Sequence, residues 1–479
     1  MNFISLTYLI LLATVFALYW TFPTKRAQNL VLLIASYLFY GWWDWRFLGL
    51  ILLSSTTDYA LGLAIYSSPA GHRRRQVFVG LSLAFNLGIL GFFKYFNFFE
   101  HSFAAMAHRV GLPVGELTLD VILPVGVSFY TFQSLSYIFD VNRGRLTPTR
   151  NLLDFLAYVS FFPQLVAGPI ERAERLLPQF QKARVFDYDE ACAGCREMLW
   201  GLVKKAWLAD NFGYYVRQVY GDVPHASGGQ LLLGTFFFGL QVYCDFSGYS
   251  HIAIGSARLL GVSLMRNFAF PYFATSPTDF WHRWHISLST WFRDYLYFPL
   301  GGSRGTRART CANIFVVFLI SGLWHGAAWT FVIWGCLHGL LLISRELVRK
   351  KGAPPAVPSA EDSPWLPSWA FLWRLAGTFL AVNFCWIFFR AASLDDALLV
   401  IQRIATWAPG SGMRPWQPGR LMVFGVLLLA AEWTWRRYVH PLAAIRWPLP
   451  LRYALYTILL WACVVYSPPE PSTFIYFAF

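Results

Sequence analysis

The chain has 479 residues, of which 56% are hydrophobic, 19% aromatic and only 13% charged. An average soluble domain carries about 25% charged residues, so a soluble fold of this length is excluded. Net charge is +14, with 39 Lys and Arg against 25 Asp and Glu, but the basic residues lie in short loops between apolar runs, which fits the cytoplasmic face of a membrane and anionic lipid and argues against nucleic acid.

Apolar runs recur at 1–20, 28–43, 46–66, 77–99, 119–139, 152–168, 193–209, 230–262, 312–345, 369–389, 420–435 and 451–467. A run of about 18 or more residues with few charges can cross a bilayer, and these runs predict an all-α, polytopic membrane protein with about eleven spans plus re-entrant and interfacial pieces. The first run lacks a basic leader and a small-residue cleavage site, and reads as a retained span. Lys25 and Arg26, then Arg73 to Arg75, then Arg143, Arg145 and Arg150 fall in alternate loops. Those loops are expected in the cytoplasm, with the N-terminus outside.

Further along, Leu123 to Arg145 mixes Ser128, Thr131, Ser134 and Ser136 into a membrane-length run. These hydroxyls either line a hydrated path or bond back to their own helix. Residues 171–192 are charged and lie between runs. Cys192 and Cys195 form a lone C-x-x-C with no second ligand pair in view, so no metal site is expected. Asp245 sits among Tyr243, Phe246 and Tyr249 inside an apolar run. It either orients a histidine or serves structure alone.

Residues 263–311 combine Arg with dense Trp and Tyr, as suits an interfacial, cytoplasm-facing subregion. Within them, Asp279 to Leu300 reads as one amphipathic helix. Trp281, His285, Leu288, Phe292 and Tyr295 share a face at helical spacing, Arg283 lies on another, Asp279 is the expected N-cap and Pro299 the stop. From Ala312 to Trp334 there are 23 residues without Asp, Glu, Lys or Arg, and His325 is the ionisable group among them. Such a group at membrane depth is costly and marks function. A neutral imidazole there can take a proton from an attacking hydroxyl. Gly322 and Gly326, one turn apart, let another backbone come close. Residues 351–368, rich in Pro, Ala and Ser, read as an exposed linker. The whole of 1–479 is expected to form a single transmembrane domain.

No phosphate loop, H-E-x-x-H helix or H-x-x-x-x-D pattern occurs. ATPase and metalloprotease readings have no footing.

The segments FWHRWHISLSTWFRDYLYFPLGG (280–302) and SGLWHGAAWTFVIWGCLHG (321–339) resemble the signature of the membrane-bound O-acyltransferases. PVGVSFYTFQSLSYIFD (124–140), FFPQLVAGPIERAERLLPQF (161–180), GLVKKAWLADN (201–211), CDFSGYSHIAIG (244–255) and FIYFAF (474–479) narrow the likeness to the bacterial branch that includes the membrane subunit of alginate O-acetyltransferase. That resemblance implies a ring of helices around a thinned centre, where a cytoplasmic and an extracytoplasmic funnel meet beside the family histidine. His325 matches that histidine and His285 the second one. The implied reaction moves an acetyl group from a cytoplasmic thioester, on acetyl-coenzyme A or an acyl carrier protein, to a hydroxyl outside. The implied acceptor is a periplasmic SGNH-type transferase that passes the group to an exported polysaccharide such as alginate. His325 is then the general base, and His285 positions the thioester or stabilises the oxyanion. Asp245, Trp324, Arg283, Ser321 and Trp281 are the expected supporting or substrate-contacting residues. No bound cofactor or metal is expected, and the expected location is a bacterial inner membrane. Two positions depart from the family pattern: His282 stands where Arg is usual, and His251 where Asp is usual.

The rival enzyme reading is D-alanyl transfer to teichoic acid. The rival from another class is a transporter or scaffold of a polysaccharide export complex, with His325 and Asp245 as proton-relay groups. The absence of an internal repeat counts against the transporter.

Overall fold

A computed structural model describes residues 2–112, 115, 118–119, 122–166, 168–348, 365–412, 415–468, 470, 472 and 474–475. Among these residues the regular structure is helical throughout. Six helices are long and apolar enough to cross a membrane: Arg46–Ser67, Arg73–Arg109, Gly228–Leu259, Arg307–His325, Trp329–Val348 and Trp369–Arg390. Leu6–Thr21 and Leu449–Val465 are shorter apolar helices. Several other expected runs fold into pieces. The run 152–168 breaks into Leu152–Ser160 and Phe162–Leu165, where Pro163 opens the second piece. The run 119–139 becomes helical only from Val127, after Gly126 in the left-handed region at φ 75°. The linker expected at 351–368 lies outside the described residues except for 365–368.

The chain divides into two compact units, residues 1–194 with 253–265, and residues 195–252 with 266–479. The first is built on buried polar contacts as well as apolar packing. Asp154, the first-turn acid of Leu152–Ser160, accepts from Asn29 Nδ2 at 2.8 Å and pairs with Lys25 Nζ at 3.1 Å. Asn29 Oδ1 in turn accepts from Arg184 at 2.7 Å. Asp58 takes hydrogen bonds from Ser82 and Asn86 at 2.6 and 2.9 Å. Ser136 bonds back to Gln133 O at 2.7 Å, as a hydroxyl in a helix does when water is scarce.

The second unit carries the two histidines. For its central elements we use α1 for Gly228–Leu259, as far as Ile252; α2 for Pro277–Arg283; α3 for Ile286–Phe292; α4 for Arg307–His325; α5 for Trp329–Val348; and α6 for Trp369–Arg390. Helices α4 and α5 form a tight antiparallel hairpin. Its cause is a glycine pair: a Cβ on Gly335 would sit 3.0 Å from Gly322 Cα, and a Cβ on Gly322 would sit 3.2 Å from Gly335 Cα. Small residues at such a crossing let backbones approach where lipid gives no hydrophobic drive.

The single helix expected over Asp279 to Leu300 is broken. Trp284 is extended (φ −103°, ψ 128°) and His285 is left-handed (φ 43°, ψ 53°), so α2 ends at Arg283 and α3 starts at Ile286. A π-helical segment, Arg293–Tyr297, follows. The N-cap is Ser276, whose Oγ accepts from Asp279 N, while Asp279 Oδ2 accepts from Thr275 N at 3.0 Å. Asp279 is therefore the third helical residue, reaching back to the backbone one residue before the cap in a variant of the capping box, with Pro277 at the first helical position. Two backbone hydrogen bonds hold the break open: Ala269 N to Arg283 O and Ile286 N to Asn267 O, both 2.9 Å. Groups a continuous helix would have used internally are satisfied by the 267–269 strip instead.

Candidate active site

His325 is the last residue of α4, buried, where the helix stops at the extended Gly326. Its imidazole is walled by aromatic rings: Trp334 of α5 at 4.8 Å between centroids, Trp324 at 5.0 Å and Phe389 of α6 at 5.4 Å. His285 reaches the same place from the break between α2 and α3, and the two histidine rings are 6.4 Å apart. Trp324 packs edge-on to both, 5.8 Å from His285. Phe246 of α1 closes the other side, 4.6 Å from His285 and nearly perpendicular to it. The expected pair thus meets in space, although 40 residues separate the two in sequence.

His285 has no exposed surface. Burial is the cause that lowers its pKa from 6.5 to about 3, so the ring is neutral at ordinary pH. Its Nδ1 lies 3.2 Å from Asn267 Oδ1. A non-glycine residue in the left-handed region costs about 1–3 kcal/mol and persists where surrounding contacts over-determine it. Those contacts are the backbone bonds of the 267–269 strip and the Asn267 side chain.

The supporting residues divide. Ser321 is buried one turn before His325, and with Trp281, Ile286, Phe318, Arg293 and Arg345 it lines a cavity of about 620 Å³. Trp281 also donates from Nε1 to His338 Nδ1 at 3.3 Å and packs 5.9 Å from Trp334. Arg283 serves the loop: its Nε donates to Asp279 Oδ1 at 2.6 Å and its Nη1 to Ala269 O at 3.3 Å. His282, the first departure from the family pattern, is exposed and bonds Thr278 O at 2.7 Å.

Asp245 is carried elsewhere. Its Oδ1 pairs with Lys205 Nζ at 2.6 Å, and its Oδ2 accepts from Ile475 N at 2.8 Å. Lys205 also pairs with Asp210 at 2.7 Å and donates to Ser472 O at 2.8 Å. Asp245 thus ties the C-terminal segment into the unit, and its neighbour Phe246 is the residue that touches His285. A parallel pair, Lys204 with Glu432 at 2.6 Å, bonds Tyr243 as well. The second departure, His251, meets Glu197 at 3.2 Å, which brings an acid to that place from another helix.

Sequence reasoning did not single out Asn267, His338, Lys204 or Lys205. The last two stood in a segment carrying the resemblance, but one sequence gives no sign of which acid meets which base. Asn267 did leave a trace, as an amide at the head of the apolar stretch Phe268 to Phe273.

A profile of the membrane-bound O-acyltransferase family matches residues 146–388, a span that includes both histidines. A probable alginate O-acetylase of Azotobacter vinelandii is 41% identical over 83% of this chain and 76% of its own. The peptidoglycan O-acetyltransferase of Helicobacter pylori is 34% identical over 78% of this chain and 73% of its own. More distant is the teichoic acid D-alanyltransferase of Bacillus subtilis, 28% identical over 54% of this chain and 67% of its own. With two buried histidines meeting inside a helical membrane fold, these likenesses make the protein an O-acyltransferase that belongs to the membrane-bound O-acyltransferase family.

Proposed function

We propose that this enzyme transfers an acetyl group from a cytoplasmic thioester to a hydroxyl presented from the far side of a bacterial inner membrane. The acceptor is a periplasmic partner protein of the SGNH type, which passes the group to an exported polysaccharide. The observation that carries the chemistry is the meeting of His285 and His325 beside Trp324. In this reading His325 takes the proton of the hydroxyl as its oxygen attacks the thioester carbonyl. A C–O bond forms, the C–S bond breaks, and the proton passes from the imidazolium to the leaving sulfur. Such general-base help is worth about 10²–10⁴ in rate. Holding both reactants against one pair of rings adds the benefit of proximity.

The cavity lined by Trp281, Ser321 and Ile286 suits the donor. It is largely apolar, as an acyl-carrying arm requires, and Arg293 and Arg345 on its lining can meet the phosphates of coenzyme A or of a carrier's phosphopantetheine. Acetyl rather than D-alanyl transfer is favoured because the acetylating relatives are the more similar ones and align over more of the chain.

The test is acetyl transfer in nanodiscs, with radiolabelled acetyl-coenzyme A or acetyl-carrier protein and the partner protein supplied. Wild type should turn over the donor, and a correctly folded His325→Ala should lose about two orders of magnitude or more. Wild-type rates in His325→Ala would refute the base assignment. A wild type inert with both donors and the partner would refute acetyl transfer.

A further inference from the structure

The side chain next to His285 determines what its ring can do. Three nitrogen or oxygen atoms converge on Asn267 Oδ1: His285 Nδ1 at 3.2 Å, Ser287 N at 3.3 Å and Ser287 Oγ at 3.0 Å. A backbone N–H can only donate, so the atom it faces must be the amide oxygen, and this fixes which way round the Asn267 amide lies. Its nitrogen, on the other side, faces Ser250 Oγ at 3.4 Å. An amide oxygen can only accept, so His285 Nδ1 carries the hydrogen. A neutral imidazole has one N–H and one lone pair, which leaves the lone pair on Nε2.

We infer that Asn267 is a positioning residue of the transfer reaction: it holds His285 in the Nδ1–H tautomer and so turns a lone pair on Nε2, not an N–H, toward the reacting centre. This deepens the acyl-transfer reading above and rests on it. It also narrows the role of His285, because a lone pair repels a developing oxyanion. An amide, unlike the carboxylate of a Ser-His-Asp triad, orients the ring without a charge that would stabilise an imidazolium. His285 therefore lines the centre as a neutral acceptor, and the one proton of the hydroxyl goes to His325. The left-handed backbone at His285 serves the same end, since it turns Nδ1 toward the 267–269 strip that supplies the amide.

Two measurements on the intact protein in nanodiscs test this. The first is nitrogen NMR with labelled histidine, the His285 signals being identified by their loss in His285→Gln. Wild type should show a protonated Nδ1 and an unprotonated Nε2, and Asn267→Ala should lose that preference. A wild-type His285 protonated on Nε2 overturns the inference, whatever the activity. The second is kinetic. Asn267→Ala should lower kcat by up to about 10⁴-fold, the loss a wrong-tautomer triad variant shows, with KM for the donor unchanged. Asn267→Asp keeps an acceptor oxygen but adds a charge that favours the imidazolium, so it should keep Nδ1 protonated while the rate stays below wild type. The double variant Asn267→Ala with His285→Gln should be no slower than His285→Gln alone. If the double variant loses the full product of the two effects, Asn267 acts independently of His285 and the inference fails. Ser287→Ala removes a hydroxyl from the same amide oxygen but leaves the His285 contact. A loss there equal to that of Asn267→Ala would assign the effect to loop structure and overturn the inference. An inert wild type would remove the transfer reading and the role built on it, while the spectrum still reports the tautomer.

Discussion

Replacing Gly335 by Ala tests whether the site depends on how closely α4 and α5 approach. A methyl there would lie 3.0 Å from Gly322 Cα and 3.1 Å from Gly322 N, with the Phe318 carbonyl oxygen closer still. Ordinary contact begins at 3.4 Å. Every clashing atom is backbone, so no side chain can swing aside and the helices must part. Overpacking of this kind costs about 1–3 kcal/mol. Parting displaces Trp334, which lies one residue before Gly335 and 4.8 Å from the His325 ring. A misplacement of about 1 Å at a reacting group can cost about 10²-fold in rate. The expected result is a kcat lowered by that order with a modestly lowered midpoint of thermal unfolding. Gly377→Ala is the control, since a Cβ there meets nothing within 4 Å. It should be as active as wild type and slightly more stable, because Ala is favoured over Gly in a helix by about 1 kcal/mol. Both variants would be assayed for acetyl transfer in nanodiscs and for unfolding in detergent. If Gly335→Ala behaves like Gly377→Ala, the close crossing does not position the site and the reasoning is refuted.

Lys205→Met leaves the buried Asp210 and Asp245 without their cation. A loss of about 3–5 kcal/mol is expected, read as a much lower unfolding midpoint, and an unchanged midpoint would show the cluster to be dispensable. Arg345→Ala should raise KM for acetyl-coenzyme A about 10-fold with little change in kcat, as loss of a charged hydrogen bond to phosphate predicts; an unchanged KM would separate the cavity from the donor. Glu171 lies outside the candidate spans, and burial raises its pKa from 4.5 to about 7 although Arg172, Arg175 and the Met265 amide oppose the rise. The folded state then binds more protons between those two values, so stability is full below about pH 4.5 and falls as pH rises to about 7, by about 3 kcal/mol in all. Glu171→Gln should flatten that slope in thermal unfolding followed across the same window, and a slope equal to wild type would show that Glu171 does not cause it.

How much of this could be read from the sequence depended on whether the signal was local. His325 was legible because an ionisable group in an apolar run of 23 residues has a cost that needs a reason. The membrane class was legible from the same runs, but the run at 152–168 was not legible as two helices, because apolarity measures length and not where a backbone turns. The break at His285 was hidden by periodicity. Trp281 belongs to α2, Leu288 and Phe292 to α3, and their spacing imitates one continuous face. A local clue existed in Ser276, Pro277 and Asp279, which spell the start of a helix three residues earlier than expected. No local clue placed Lys205 against Asp245, 40 residues downstream, because both are held by tertiary contacts.

Two kinds of buried polar group in the second unit contrast, and the difference bears on the chemistry. Lys204 with Glu432, Lys205 with Asp210 and Asp245, and Arg283 with Asp279 are held as ion pairs at 2.6–2.7 Å. Burying a charge demands such pairing, and these groups fasten helix to helix or loop to helix. His285 is treated differently. Its ring meets Phe246 and Trp324, and one polar partner that fixes it is an uncharged amide. A carboxylate in place of Asn267 would favour the imidazolium, and a charged ring has no lone pair. An amide fixes the tautomer and leaves the ring neutral. The fold thus pairs these buried charges where they bear structure, and keeps the His285 ring uncharged beside the residue that takes the proton.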